Sequence, residues 1–256
     1  MMEQQRRRLA SLTSALTMRS TGDSSLPRLK LGVVGLGAIG LDLVRLCGPG
    51  AADSALARVD IVAVLVQRPR SAQERKALGL PSDIQLTADV EEWFRAGPYD
   101  AVLEVAGHSA VRKLGARVLG TGAQLLVTSV GAFADASLLS VLVATAEKAS
   151  TRLCIPSAGI GALDILGAAA VGGLDSVTMT VRKDPSAWFG TVAEEHFDLN
   201  EIEAKGQPQV LFEGSARDGA AMYPQNVNIS AAVALAGIGT YRQHTLATRS
   251  PFAFFS

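Results

Sequence analysis

Regular patterning begins at Leu29. Continuous apolar runs at residues 31–34, 59–66, 101–105, 124–128 and 152–155 alternate with stretches of helical periodicity at 39–47, 109–119 and 136–148. Strands that stay apolar at successive positions suit a sheet covered on both faces. Strands separated by helices imply βαβ units with right-handed crossovers. The pattern therefore predicts a doubly wound parallel sheet over residues 29–150. After residue 155 the texture changes. Residues 174–181 and 209–213 read as strands among polar neighbours, and 226–238 as an amphipathic or buried helix that Asn226 can cap. The expected fold is α/β, with a second, smaller α+β domain at 151–256.

Composition narrows the class. Lys plus Arg and Asp plus Glu both number 24, so the formal charge is zero, which argues against nucleic acid or an anionic membrane as the main partner. A hydrophobic fraction of 48% with 25 glycines suits a compact α/β enzyme. No apolar run reaches the length needed to cross a bilayer. Cys47 and Cys154 are isolated and lack metal-ligand spacing, so no metal site is expected and a reducing compartment is. Residues 1–28 carry Arg6, Arg7, Arg8, Arg19 and Arg28 among many Ser and Thr. They read as a disordered extension or, alternatively, as a transit segment for a mitochondrion or plastid; without such import the chain is expected in the cytoplasm.

The sharpest local signal is Gly35-Leu36-Gly37-Ala38-Ile39-Gly40, a G-x-G-x-x-G that follows a strand and opens a helix. Gly35 permits the tight turn, Gly37 lets the backbone approach a pyrophosphate, and Gly40 allows close helix–strand packing. The helix N-terminus at Ala38 and Ile39 offers amide donors and positive dipole to the phosphates. This is the fingerprint of a Rossmann-type domain for NAD or NADP. An NAD-selective site usually ends its second strand in Asp or Glu. Here that strand runs into Gln67-Arg68-Pro69-Arg70, so Arg68, and with it Arg70, can pair with the 2′-phosphate of NADP. The same arginines read equally well as solvated loop residues.

Further motifs follow at the C-terminal ends of later strands, where doubly wound sheets bind ligands. Glu104-Val105-Ala106-Gly107-His108 follows the fourth strand, which makes Ala106 and Gly107 cofactor contacts, and Ser129-Val130-Gly131-Ala132 follows the fifth. Then come Pro156-Ser157-Ala158-Gly159-Ile160-Gly161-Ala162-Leu163-Asp164, Val181-Arg182-Lys183-Asp184-Pro185-Ser186-Ala187-Trp188, Phe212-Glu213-Gly214-Ser215-Ala216-Arg217 and Tyr223-Pro224-Gln225-Asn226-Val227-Asn228. In this order the set resembles the bacterial type of the L-aspartate dehydrogenase family, from about Leu29 to Gly239.

The resemblance implies NAD(P)-dependent oxidative deamination of L-aspartate by a homodimer, giving iminoaspartate that hydrolyses to oxaloacetate and ammonia or feeds NAD biosynthesis. It also implies cofactor contacts at Gly159, or at Ala158 under a shifted alignment, and at Asn228, whose amide matches the nicotinamide carboxamide donor for acceptor. A dicarboxylate substrate needs cations, and Arg182 and Lys183 are the candidates, with strand alternation sending only one into a site. The family's Ala-Asp-Pro strand and the catalytic histidine behind it have no counterpart in residues 240–256. The second domain is therefore expected to be divergent after 239, C-terminally incomplete and open at a sheet edge. His244 follows Gly239 too closely to match, so the catalytic residue is unknown, with His108 the candidate. The alternatives are an inactive NAD(P)-binding homologue and a dehydrogenase of another amino acid.

Overall fold

The computed structural model describes residues 28–47, 58–157, 160–223, 228–237 and 246–250. Six strands, β1 (Leu29–Val34), β2 (Val59–Leu65), β3 (Gln85–Thr87), β4 (Ala101–Glu104), β5 (Gln124–Val127) and β6 (Leu153–Cys154), form one sheet in the order β3-β2-β1-β4-β5-β6. The pairs β2–β3, β4–β5 and β5–β6 are parallel. A strand order that runs outward from β1 in both directions is that of the doubly wound dinucleotide-binding fold. Between the strands lie α1 (Ala38–Leu46), α2 (Ala72–Ala77), α3 (Val90–Ala96), α4 (His108–Gly120) and α5 (Ala136–Lys148). Close packing groups the chain into two compact units, residues 1–32 with 36–100, and 33–35 with 101–256.

In the first unit α2 and α3 are short, and side-chain caps hold them. Ser71 and Glu74 form a reciprocal capping box at α2, and the Asp89 carboxylate accepts from the amides of Glu91 and Glu92 at α3. Trp93 on α3 is fully buried, donates through Nε1 to the Ala63 carbonyl at 3.3 Å, and stacks on Tyr99 with centroids 4.7 Å apart. Gly32 makes room for it, because a Cβ there would sit 2.8 Å from the Trp93 ring.

In the second unit, Val111, Val118 and Leu119 of α4, Leu125 and Val127 of β5 and Leu142 of α5 are buried. Beyond β6 come α6 (Leu163–Gly172), β7 (Met179–Val181), α7 (Ala193–His196), α8 (Leu199–Lys205), β8 (Gln209–Gly214), α9 (Ala216–Met222), α10 (Asn228–Ala236) and β9 (Leu246–Ser250). Trp188, Ala193, Leu199, Leu211 and Tyr223 form a separate core cluster here, with the Trp188 and Tyr223 rings edge to face at 5.4 Å. The β9 backbone lies between β7, which it joins parallel, and β8, which it joins antiparallel. The divergent tail thus supplies the middle of this sheet, since ladder hydrogen bonds need extended backbone, not particular side chains. Among the described residues no helix is long and apolar enough to cross a membrane.

Candidate active site

The glycine fingerprint has the form that an anion site requires. Gly35 adopts φ +106°, and a Cβ there would lie 2.8 Å from the Val105 carbonyl oxygen and 2.9 Å from Ala106. No other residue fits that turn without strain. Gly37 caps α1 without any side-chain hydrogen bond, no acidic residue occupies the first turn, and a Cβ on Gly37 would meet nothing within 4 Å. Ala38 and Ile39 are exposed and Gly40 is buried. The helix N-terminus therefore presents uncapped amides to open space, which suits a pyrophosphate. Gly37 has ordinary extended φ and ψ. Gly37→Val should accordingly leave stability within about 0.5 kcal/mol and weaken dinucleotide binding at least about tenfold, as read by cofactor titration.

Glu104, at the end of β4, organises two loops of the second unit. It is 2% exposed. Its Oε1 accepts from the amides of Ala106 and Gly107, both at 2.7 Å, and from Ser129 Oγ at 2.9 Å, while Oε2 accepts from the Ser129 amide at 3.1 Å. One buried carboxylate thus ties the β4–α4 turn to the end of β5. Along the chain Glu104 and Ser129 stand in separate motifs, and only the fold gives them a shared role. The available signal was a Glu closing an apolar strand, which demands several donors if it is buried.

That bracing positions a three-residue cluster. His108 begins α4 behind Gly107, which at φ +124° caps the helix without a side chain. His108 Nε2 lies 3.1 Å from Asn228 Oδ1, and the Gly131 amide donates to the same oxygen at 2.9 Å. A backbone N–H can only donate, so the Asn228 atom facing Gly131 is the carbonyl oxygen. His108 Nε2, facing that oxygen too, then carries a proton, and Nδ1 is the acceptor of the neutral ring. Gly131 has to be glycine, because a Cβ would sit 2.7 Å from His108 and 2.8 Å from Asn228 Oδ1. Residues 97 and 120 positions apart in the chain meet here.

The remaining sequence candidates are distributed differently. Arg68 lies 2.6 Å and Arg70 3.6 Å from Glu74 Oε1, with side chains 59% and 27% exposed. Arg182 is exposed, whereas Lys183 is half-buried, 5.8 Å from the Trp188 ring centroid, and burial pushes its ammonium below the usual lysine range. His196, another of the chain's three histidines, is exposed at the end of α7. Ala158, Gly159, Asn226 and His244, together with residues 1–27, lie outside the described residues.

Known proteins carry the same two halves. The model of the homoserine dehydrogenase NAD-binding domain matches residues 35–156, and that of the aspartate dehydrogenase C-terminal domain matches residues 164–246. L-aspartate dehydrogenase of Cupriavidus taiwanensis is 37% identical over 225 residues, 88% of this chain and 80% of that protein. The Pseudomonas aeruginosa enzyme is 38% identical over 215 residues, 84% of this chain and 76% of that protein. The Ralstonia nicotianae enzyme is 43% identical over 152 residues, which is 59% of this chain and 56% of that protein. The crystal structure of aspartate dehydrogenase from Thermotoga maritima shares the fold, with a TM-score of 0.63 at 19% identity over 88% of this chain and 79% of that one. A doubly wound sheet, a glycine turn that leaves the α1 N-terminus uncapped by any side chain, and these matches define an NAD(P)-binding dehydrogenase. The chain belongs to the L-aspartate dehydrogenase family.

Proposed function

We propose that the chain catalyses NAD(P)-dependent oxidative deamination of L-aspartate, and that His108 and Asn228 are its central site residues. The observation that carries this reading is the cluster in which Asn228 Oδ1 takes hydrogen bonds from both Gly131 and His108. The bound cofactor supplies the hydride acceptor. Gly35, Gly37 and Gly40 with the α1 amides at Ala38 and Ile39 would hold its pyrophosphate, and Ala106 and Gly107 are proposed as further cofactor contacts. Because Asn228 Oδ1 is engaged within the protein, its NH2 is the group that serves the carboxamide carbonyl.

His108 handles protons at Nδ1. The substrate must present an uncharged amine before its Cα–H bond can break, and Nδ1 accepts the proton that this nitrogen loses. With the cofactor bound as hydride acceptor, loss of the Cα hydrogen as hydride would leave a protonated carbon–nitrogen double bond, the iminium form of iminoaspartate. Once Nδ1 has passed that proton to solvent, water adds to the imine carbon and gives a proton to Nδ1, and collapse to oxaloacetate expels ammonia as His108 returns the proton to the nitrogen. Arg182 and Lys183 are assigned to the substrate carboxylates; a half-buried Lys183 would gain more from an anion than a fully hydrated one.

The two family matches meet between residues 156 and 164, which supports a cofactor domain at 29–150 and a substrate domain at 151–256. The resemblance also supports a homodimer working in the cytoplasm. On α6, Ile165 and Val171 are 68% and 79% exposed, an apolar surface of the kind that subunit interfaces cover. Incubating purified chain with L-aspartate and NAD or NADP tests the reading. We expect reduced cofactor and ammonia in equal amounts, with L-alanine, which has one carboxylate, far slower. Equal rates for alanine and aspartate would make the chain a dehydrogenase of another specificity.

A further inference from the structure

The cationic end of β2 is already occupied from within the chain. Arg68 Nη2 lies 2.6 Å from Glu74 Oε1, and Arg70 Nη1 lies 3.6 Å from the same oxygen. Glu74 is not a swinging surface side chain. Its Oε2 accepts from the Ser71 amide at 2.8 Å, while Ser71 Oγ accepts from the Glu74 amide at 3.2 Å, so the capping box of α2 fixes the carboxylate in front of the two guanidinium groups. The Arg68 guanidinium first, and the Ser71 amide second, hold the Glu74 carboxyl down at about 2. It therefore stays ionised across the whole working range. The cluster also keeps donor capacity in hand, because Arg70 Nε is buried without an acceptor among the described residues.

We propose that Glu74 is a built-in occupant of the adenosine 2′-phosphate subsite and sets the balance between NADP and NAD. The inference rests on the reading that Arg68 meets the 2′-phosphate. NAD, with a hydroxyl at that position, leaves the Arg68–Glu74 pair intact. NADP has to take Arg68 from a carboxylate that keeps its charge beside the incoming phosphate, so the penalty falls on NADP alone. A chain built this way accepts both cofactors and discriminates against NADP by the strength of an internal ion pair.

The capping box separates charge from structure, because Gln at the third helical position closes such a box as Glu does. Glu74→Gln therefore removes the competing charge and keeps α2. The test titrates the purified full chain, its Glu74→Gln variant and its Arg68→Ala variant with NAD and with NADP, following cofactor binding directly. Glu74→Gln should tighten NADP about three- to tenfold and leave NAD within about twofold, an effect that shrinks with added salt as expected for exposed charges. Arg68→Ala should weaken NADP about tenfold and barely touch NAD. If Arg68→Ala weakens NADP while Glu74→Gln leaves it unchanged or weakens it too, Glu74 only orients Arg68 and the inference is overturned. If Arg68→Ala leaves NADP untouched, the 2′-phosphate reading of Arg68 fails and takes the inference with it.

Discussion

Glu104→Ala should cost about 3–5 kcal/mol of stability, the range seen when a buried charge network loses its acceptor. The carboxylate takes four hydrogen bonds while 2% exposed. Its removal strands the amides of Ala106, Gly107 and Ser129 and the Ser129 hydroxyl together. Glu104→Gln should be milder, about 1–2 kcal/mol. An amide oxygen at the Oε1 position keeps three of the bonds, whereas the NH2 at Oε2 turns a donor toward the Ser129 N–H. Urea unfolding of the three proteins checks the ranking. Equal stability for wild type and Glu104→Ala would mean that the β4–α4 turn is braced by something else.

The largest effect on turnover should come from His108. Removing a positioned general acid–base typically costs about 10²–10⁴ in rate, so His108→Ala should lower kcat by at least two orders of magnitude with the KM for NAD(P) nearly unchanged. His108→Gln separates proton transfer from support. A glutamine can still donate to Asn228 Oδ1, so it should keep the cofactor KM near the wild-type value without restoring rate. Asn228→Ala should show the reverse emphasis, raising the cofactor KM about tenfold and lowering kcat as well, because the nicotinamide loses its orienting amide and His108 loses the bond that fixes its tautomer. Steady-state kinetics of the three variants reads this out. Full activity in His108→Ala would remove the histidine from the chemistry.

What the sequence made legible was whatever an apolar period encodes. β1, β2, β4 and β5 each carry buried apolar residues within an apolar run, and the helix expected at 136–148 is α5 residue for residue. β3 left no such mark, because it is a three-residue strand with only Thr87 buried. α2 and α3 are one or two turns long and rest on caps, not on a hydrophobic stripe. The strand expected at 174–181 narrows to Met179–Val181, and β9 arises in a tail whose side chains gave no strand signal.

The site followed the same division. The glycine loop was legible because each glycine has a local mechanical reason. The meeting of His108 with Gly131 and Asn228 was not, because nothing in a window of sequence relates positions 97 and 120 residues apart. Arg68 was readable as a cation, but its ion pair with Glu74 depends on how α2 folds back after Pro69.

The most direct test of the account follows the hydride itself. L-aspartate deuterated at Cα, turned over by the purified chain, should give reduced cofactor carrying one deuterium at nicotinamide C4 for each ammonia released. Reduced cofactor without the label, or no aspartate-dependent reduction of either NAD or NADP by a chain that binds them, would contradict it.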